Sequence, residues 1–376
     1  MKSFLLYLGI IVLVLWNISM ETRLARKADR PFQPPLDLHV AARDTADSGF
    51  SREYGFYMRP YCNFWSDAHT HTHFADLSQD ERDKELVMLH NAMYELEIVN
   101  CAVFCKTEAD LAFVDSVGKD APVWYAEFND PDIEKLRYYH ERYHIRAVKL
   151  HNTPVFYGEF RGEEVEFPLG SGKMKPVTIE MMVSPEWMSF FGVCEELGLP
   201  VTWHTNNRYG PSPYNFGGDN SKCWEALPYD NFYVLSLIER ILDTCPKLSL
   251  ILCHQGFMGY TRLAELFKKH PNLYIDTSAG FMLHDGDYLT DSERARIRPF
   301  FITWADRILF GTDANAWWET PKTISEHEIR RHIYNHVHPF KRFIQQLYLP
   351  QEVLSKVAHQ NFERLFNMPP AGDWFY

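Results

Sequence analysis

The sequence has no surplus of basic residues and no basic stripe. Its 376 residues include 38 Lys and Arg against 50 Asp and Glu, which gives a formal net charge of −12. A protein that binds nucleic acid uses clustered Lys and Arg to neutralise phosphates. The composition therefore argues against a nucleic-acid partner.

Paired cysteine spacings are also absent. The chain has 7 Cys, an odd number, with no paired Cys-x-x-Cys motif of the kind that holds a structural zinc. Cys101 and Cys105 lie in one predicted strand, where residues four apart are separated by about 13 Å, too far for a disulfide. We expect free, buried thiols.

Only the N-terminus has a long hydrophobic run. Residues 4–20 carry no charged side chain and are just long enough to cross a bilayer as a helix. No good small-x-small cleavage site follows. We expect 1–20 to be a retained membrane anchor, with a cleaved signal peptide or a buried helix as alternatives. The protein would then be membrane-anchored or exported, on a side of the membrane that the flanking charges leave open.

Residues 21–60 are polar and proline-rich and predict a linker and lead-in. No internal sequence repeat with a fixed period stands out in the chain. From residue 61 to 376, short apolar strands alternate with helical patterns. The predicted strands are 63–71, 98–105, 121–129, 145–151, 199–205, 248–256, 273–280 and 307–313. Eight strands alternating with helices predict a (β/α)8 TIM barrel.

Polar residues mark the ends of five of these strands: His69 and His71, Lys149 and His151, His204, His254, and Asp313. In such a barrel the active site is built at this end. Side chains alternate along a strand, which predicts that His69 and His71 point into the barrel mouth while Ala68 and Thr70 face the helices. By the same rule Lys149 and His151 share the inward side of their strand, and Val148 and Leu150 lie on the other side.

Converging imidazoles and a carboxylate suit a borderline metal such as Zn²⁺. A catalytic site leaves one coordination position open for water, whose pKa falls towards about 7 on the metal. A nearby carboxylate can then take the proton as hydroxide attacks a carbonyl.

The motifs "DAHTH", "VKLH", "VTWHT", "ILCHQG" and "ILFGTD" together resemble the amidohydrolase superfamily, in its amidohydrolase-related branch. The resemblance covers residues 63–368. It implies that His69, His71 and His204 bind metal, and that Asp313 both binds metal and acts as general base.

Two further roles follow from the resemblance. His254 orients or polarises substrate in single-metal members and is a ligand in two-metal members. Lys149 lies where two-metal members have a carboxylated lysine; a cation for a substrate carboxylate and a structural ion-pair partner are the alternatives. We expect one Zn²⁺ rather than two, or another divalent metal.

Candidate substrate-binding residues are His151, Asn206 and Trp317, with packing as the alternative for the last two. His73 is expected in the loop after the first strand. His336 and His338 are expected at the surface.

The function predicted first is a metal-dependent hydrolase acting on an ester, lactone or amide of a small molecule. A non-oxidative decarboxylase using the same ligands is the alternative, because the same branch contains both. A membrane-tethered binding protein on a degenerate barrel is a third reading, and a homo-oligomer is possible. Specificity would reside mainly in the irregular insert at 152–183 and in the loops after the fifth and eighth strands.

Overall fold

The computed structural model describes residues between 62 and 370, with internal gaps. The gaps are at 63, 72–77, 79–80, 82–92, 94, 118–122, 152, 158–163, 167–171, 173, 177, 206–231, 279–288 and 316–325. The spacing of apolar residues predicts a helix over 78–97, which lies mainly in these gaps.

Parallel strands form the barrel wall in the order of the sequence. They are β1 (Trp65–His71), β2 (Ile98–Cys105), β3 (Val123–Phe128), β4 (Ala147–Leu150), β7 (Val201–Trp203), β8 (Leu250–Leu252), β9 (Leu273–Asp276), β10 (Ile308–Leu309) and β11 (Ala314–Asn315). Two short strands between β4 and β7 form a separate antiparallel hairpin, β5 (Glu164–Glu166) and β6 (Met174–Pro176).

The last barrel position is divided between β10 and β11. β10 pairs with β9, whereas β11 pairs with β1, so this one segment joins the two edges of the sheet. Between the two pieces, the backbone N–H of Ala68 donates to Phe310 O over 2.8 Å and that of Asp313 donates to His69 O over 2.9 Å. These bonds bring the eighth position against the first, as the predicted TIM barrel requires.

Helices alternate with the strands. They are α1 (Glu108–Val117), α2 (Ile133–Tyr143), α3 (Pro154–Tyr157), α4 (Pro185–Glu196), α5 (Phe232–Thr244), α6 (Gly259–Lys269), α7 (Asp291–Thr303), α8 (Glu326–Gln346), α9 (Gln351–Ser355) and α10 (Asn361–Leu365). The residue before the helix explains where α2, α4 and α7 begin. The side chains of Asp132, Ser184 and Thr290 each accept a hydrogen bond from a backbone N–H in the first turn of the helix that follows.

Helix α8 is an element that the sequence did not predict. It runs through Pro339, where a helix interior normally breaks. His336 and His338 lie within it and are half-buried, and the His338 ring stacks on Tyr334 at 4.9 Å between centroids. The expectation that both histidines lie at the surface was therefore wrong in part. The insert at 152–183 likewise contains regular structure, namely α3, the β5–β6 hairpin and a 3-10 turn at Ile179–Val183.

Buried side chains form two clusters on opposite sides of the barrel wall. The outer cluster lies between strands and helices and includes Val148 and Leu150, as predicted. The inner cluster fills the barrel interior below the polar strand ends; it consists of Ala68, Ala102, Phe104, Tyr125, Ala147, Ile251, Leu309, Phe362 and Phe366. The predicted site therefore lies against the apolar side chains of the inner cluster.

Ala68 corrects the predicted orientation of the first strand. It was expected to face the helices, but it packs in the inner cluster. The pairing of β1 with β2 changes register between Asp67 and Thr70. Such an irregularity breaks the strict alternation of side chains, so Ala68 and the neighbouring His69 are both directed inward.

The structure describes six of the cysteines, and all six are free and buried, as predicted. No helix within the described ranges is both long and apolar enough to cross a membrane. The predicted anchor at 1–20 and the linker at 21–60 lie outside the described residues. These segments, and the domain boundaries drawn from them, stay predictions.

Candidate active site

Three donor atoms converge at the carboxyl ends of β1 and the last barrel position. The Nε2 atoms of His69 and His71 are 3.2 Å apart, and each is 3.1 Å from Asp313 Oδ1. We call this arrangement the donor triangle. The side chain of Asp313 keeps 20% of its surface exposed, whereas His69 is fully buried.

The contact of the second ring nitrogen, His69 Nδ1, determines that Nε2 is the nitrogen in the donor triangle. His69 Nδ1 lies 2.8 Å from Asp276 Oδ2. Burial acts to raise the pKa of Asp276, but His69, His254 and Ser278 hold this pKa well below its usual range. A carboxylate only accepts, so Nδ1 carries the hydrogen and Nε2 is directed at the triangle. A histidine that donates its other nitrogen to a carboxylate is typical of metal ligands.

The pKa values of the two histidines in the triangle are shifted in opposite directions. Burial and Lys149 act to lower the pKa of His69, but Cys253, Asp276 and Asp313 outweigh them, and the pKa is raised well above its ordinary value. Burial lowers the pKa of His71 to about 3, which keeps that ring neutral near pH 7. A neutral imidazole and a carboxylate are donors that zinc uses.

Asp313 is held in an uncommon backbone conformation. Its φ of 59° lies in the left-handed region, which a residue other than glycine rarely adopts. The bond from Asp313 N to His69 O stabilises that conformation. Burial acts to raise the pKa of Asp313, but contacts with His69 and His71 hold it well below its usual range.

His254 lies in a left-handed turn of the chain after β8. His254, Gln255 and Gly256 all have positive φ, and the backbone N–H of His254 donates to Asp276 Oδ1 over 3.0 Å. Its ring centroid is 5.1 Å from that of His69. Burial lowers the pKa of His254 to about 4. Strained backbone of this kind clusters at functional sites.

His204 and His151 line the same pocket. The His204 ring centroid is 4.9 Å from that of His254 and 4.9 Å from that of His151, and His151 is 6.1 Å from His71. Burial is the main cause that lowers the pKa values of both His204 and His151. The structure therefore brings these predicted residues together, and their roles as ligand and substrate contact stay predictions.

Lys149 is fully buried beside the triangle. Its Nζ donates to Cys253 Sγ over 3.0 Å, lies 3.2 Å from His69 Nε2 and lies 4.3 Å from the centroid of the Phe104 ring. The parity argument correctly placed Lys149 in the barrel interior, but the sequence did not predict Cys253 as its neighbour.

Sequence reasoning missed several residues that support the site. Asp67, Cys253, Asp276, Ser278 and Thr312 are all buried polar or thiol groups around it. Polar residues at the ends of barrel strands are site candidates. The same criterion would have found Asp276 and Ser278, which lie at the end of β9 in "YIDTS". Asn206 and Trp317, predicted to contact substrate, and His73, predicted in a loop, lie outside the described residues.

The donor set fits a divalent metal. Within the described residues, two groups of three possible ligands have donor atoms within 4.8 Å of one another: His69, His71 and Asp313, and His69, His254 and Asp276. Tetrahedral zinc with bonds of about 2.0–2.1 Å has its ligands about 3.4 Å apart, close to the edges of the donor triangle. Asp276 Oδ2 already accepts from His69, which makes the donor triangle the better candidate.

Residues 107–368 match the model of the amidohydrolase family. The chain belongs to the amidohydrolase family. This confirms the resemblance inferred from the motifs, although the matched range begins after His69 and His71. A comparison with curated proteins gives no match.

Several solved structures are similar to this amidohydrolase chain. An uncharacterised TIM-barrel protein from Bordetella bronchiseptica is 17% identical over 88% of this chain and 92% of its own, with a TM-score of 0.47. A 2,6-dihydroxybenzoate decarboxylase in complex with 2,6-dihydroxybenzoate is 15% identical over 81% of this chain and 99% of its own, with a TM-score of 0.48. A zinc-bound amidohydrolase from Burkholderia multivorans is 12% identical over 81% of this chain and 100% of its own, with a TM-score of 0.47.

Proposed function

We propose that the protein is a metal-dependent hydrolase that cleaves an ester, lactone or amide bond of a small molecule. The donor triangle carries this proposal. Two imidazole nitrogens and one carboxylate oxygen lie within 3.2 Å of one another at the barrel mouth. A zinc ion bound there would supply a water of lowered pKa and polarise a carbonyl.

His69, His71 and Asp313 would hold the metal, with His204 as a further ligand from β7. Asp276 supports the set by accepting from His69 Nδ1. We infer one zinc per chain. Lys149 donates to Cys253 Sγ and is therefore already engaged within the protein.

Asp313 is the group best placed to move a proton. Its Oδ1 faces both histidines, while 20% of its side chain remains exposed at the mouth. Its low pKa keeps it ionised at neutral pH, so it can accept the proton of an attacking water and pass it to the leaving group. His151 lies beside the His204 ring, where substrate would contact it.

The test is an activity screen of the zinc-loaded full-length protein against small lactones, esters and amides. Asp313→Asn should lower kcat by roughly 10²–10⁴-fold, the range for loss of a proton-transfer group. Asp306→Asn is the matched control, because Asp306 pairs with Lys356 and is 54% exposed. Undiminished turnover by the Asp313 variant would refute the proposal. Carbon dioxide release, with solvent deuterium on a product carbon, would identify a decarboxylase instead.

A further inference from the structure

A carboxylate and a hydroxyl at the end of β9 contact two histidines that come from other strands. Asp276 and Ser278 are both fully buried. They touch His69 from β1 and His254 from the turn after β8. Asp276 has been assigned only its contact with His69, and Ser278 has no role in the proposed reaction so far.

Every partner of Asp276 must supply a hydrogen, because a carboxylate only accepts. Its Oδ2 accepts from His69 Nδ1 over 2.8 Å. Its Oδ1 accepts from the backbone N–H groups of His254 and Ser278, each over 3.0 Å. Oδ1 is also in close contact with the hydroxyl of Ser278. The single hydroxyl hydrogen of Ser278 is therefore directed to Asp276.

This assignment settles which nitrogen of His254 carries its hydrogen. His254 Nδ1 lies 2.9 Å from Ser278 Oγ and 3.3 Å from the carbonyl oxygen of Ser278. The carbonyl only accepts, and the hydroxyl has given its hydrogen to Asp276. Nδ1 must then be the donor, which makes Nε2 of the neutral ring an acceptor.

We propose that Asp276 and Ser278 are positioning residues that set His69 and His254 in the same tautomer, with hydrogen on Nδ1. One carboxylate acts directly on His69 and, through the Ser278 hydroxyl, on His254. For His69 the result is that a bound metal would replace the hydrogen of Nε2, in the donor triangle, and not that of Nδ1. For His254 it is an Nε2 that can accept a proton or bind a cation but cannot donate to a substrate oxygen while the ring is neutral.

The inference rests on the proposed function for its kinetic consequence, but its structural test needs no substrate. Nitrogen-15 NMR of the zinc-loaded full-length protein, with labelled histidine rings, reports which ring nitrogen is protonated. A His254→Gln variant assigns the His254 signals. We expect a protonated Nδ1 and an unprotonated Nε2.

Two variants connect the tautomer to Ser278. Ser278→Ala removes the nearer acceptor of the His254 Nδ1 hydrogen and leaves the Ser278 carbonyl oxygen at 3.3 Å. The His254 Nε2 signal should therefore shift part of the way towards its protonated range, with kcat reduced about 10–100-fold, as for other supports of metal-site histidines. Ser278→Thr keeps the hydroxyl and should restore both readouts.

A wild-type spectrum with hydrogen on His254 Nε2 would overturn the inference, whether or not any variant folds. So would a Ser278→Ala variant with unchanged spectrum and kcat. If no substrate is turned over but the spectrum is as expected, the proposed function fails and the tautomer assignment stands.

Discussion

At Lys149 a buried amine lies between a thiol and a histidine of the donor triangle. Its Nζ donates to Cys253 Sγ and lies 3.2 Å from His69 Nε2, while the Phe104 ring closes a third side. A carboxylated lysine that bridges two metals would need space for the added carboxylate. The close neighbours of Nζ favour an unmodified lysine and a single metal.

We predict that Lys149→Met leaves the zinc content at about one ion per chain. Methionine is similar in length and can fill the space over Phe104 with a favourable sulfur–aromatic contact. Elemental analysis after dialysis against excess zinc measures the content. Two zinc ions in the wild type and fewer in the variant would mean that Lys149 is a bridging ligand.

Gly311 provides a second test of the site at the level of one side chain. A Cβ at this position would lie 3.1 Å from Asp276 Cβ and 3.2 Å from His69 Cβ. Gly311→Ala should force these two residues apart and weaken zinc binding about 10–100-fold, as other losses of ligand support do. Competition with a chelator measures the affinity.

Gly192→Ala is the matched control for Gly311. It lies in α4, and a Cβ there would meet nothing within 4 Å. Alanine is the better helix former, so this variant should bind zinc normally and be more stable by up to about 1 kcal/mol. Equal zinc affinity of Gly311→Ala and Gly192→Ala would mean that the close packing of His69 and Asp276 around Gly311 does not support zinc binding.

Among the elements, helix α7 begins with a complete capping box. Glu293 N donates to Thr290 Oγ1 over 3.2 Å, and Thr290 N donates to Glu293 Oε2 over 2.9 Å. Thr290→Ala should lower the free energy of unfolding by about 1 kcal/mol, because one N–H of the first turn loses its acceptor. Urea denaturation measures the change.

The control for the cap is Thr290→Ser, which keeps the hydroxyl and should unfold like the wild type. Zinc content should be the same in all three proteins, since the cap lies outside the site. A loss of zinc in Thr290→Ala would show that the effect is not confined to the helix start.

Periodicity predicted most elements because it depends on local sequence. The alternation of strands and helices, and the inward direction of Lys149, follow from spacing alone. Helix α8 did not, since Pro339 is a local signal against a helix. Its continuation depends on tertiary packing: Ile333, Val337, Phe340, Phe343 and Ile344 are all buried. Packing of that extent outweighs the hydrogen bond that Pro339 cannot make.

The candidate site was predictable as far as residue type and strand ends determine it. His69, His71 and Asp313 lie together, as the barrel rule indicated. The inward turn of Ala68 arises from the register change with β2, which depends on pairing between strands and cannot be found by counting along one strand. The contact of Lys149 with Cys253 joins residues distant in sequence and required the folded chain.

For the molecule as a whole, Asp67 adds side-chain hydrogen bonds to the backbone bonds that close the barrel. Its Oδ1 accepts from His69 N over 3.0 Å and from Thr312 N over 3.1 Å, and its Oδ2 accepts from Thr312 Oγ1 over 2.5 Å. Burial raises the pKa of Asp67 to about 7, although these donors act to lower it. One buried carboxyl thus ties β1 to the segment between β10 and β11.

We predict that Thr312→Val lowers the free energy of unfolding by about 1–3 kcal/mol, because it leaves a buried oxygen of Asp67 without its hydroxyl donor. Valine has nearly the same shape, so packing is preserved. Thr312→Ser keeps the hydroxyl and should lose much less. Equal stability of the two variants in urea denaturation would mean that this contact does not close the barrel.

The central claim concerns the position of the metal. Anomalous X-ray scattering at the zinc edge, from crystals of the zinc-loaded full-length protein, locates the ion directly. We predict a single peak at bonding distance, about 2.0–2.2 Å, from His69 Nε2, His71 Nε2 and Asp313 Oδ1. A fully occupied zinc peak that touches none of these three atoms, or no peak in the barrel mouth, would contradict the claim.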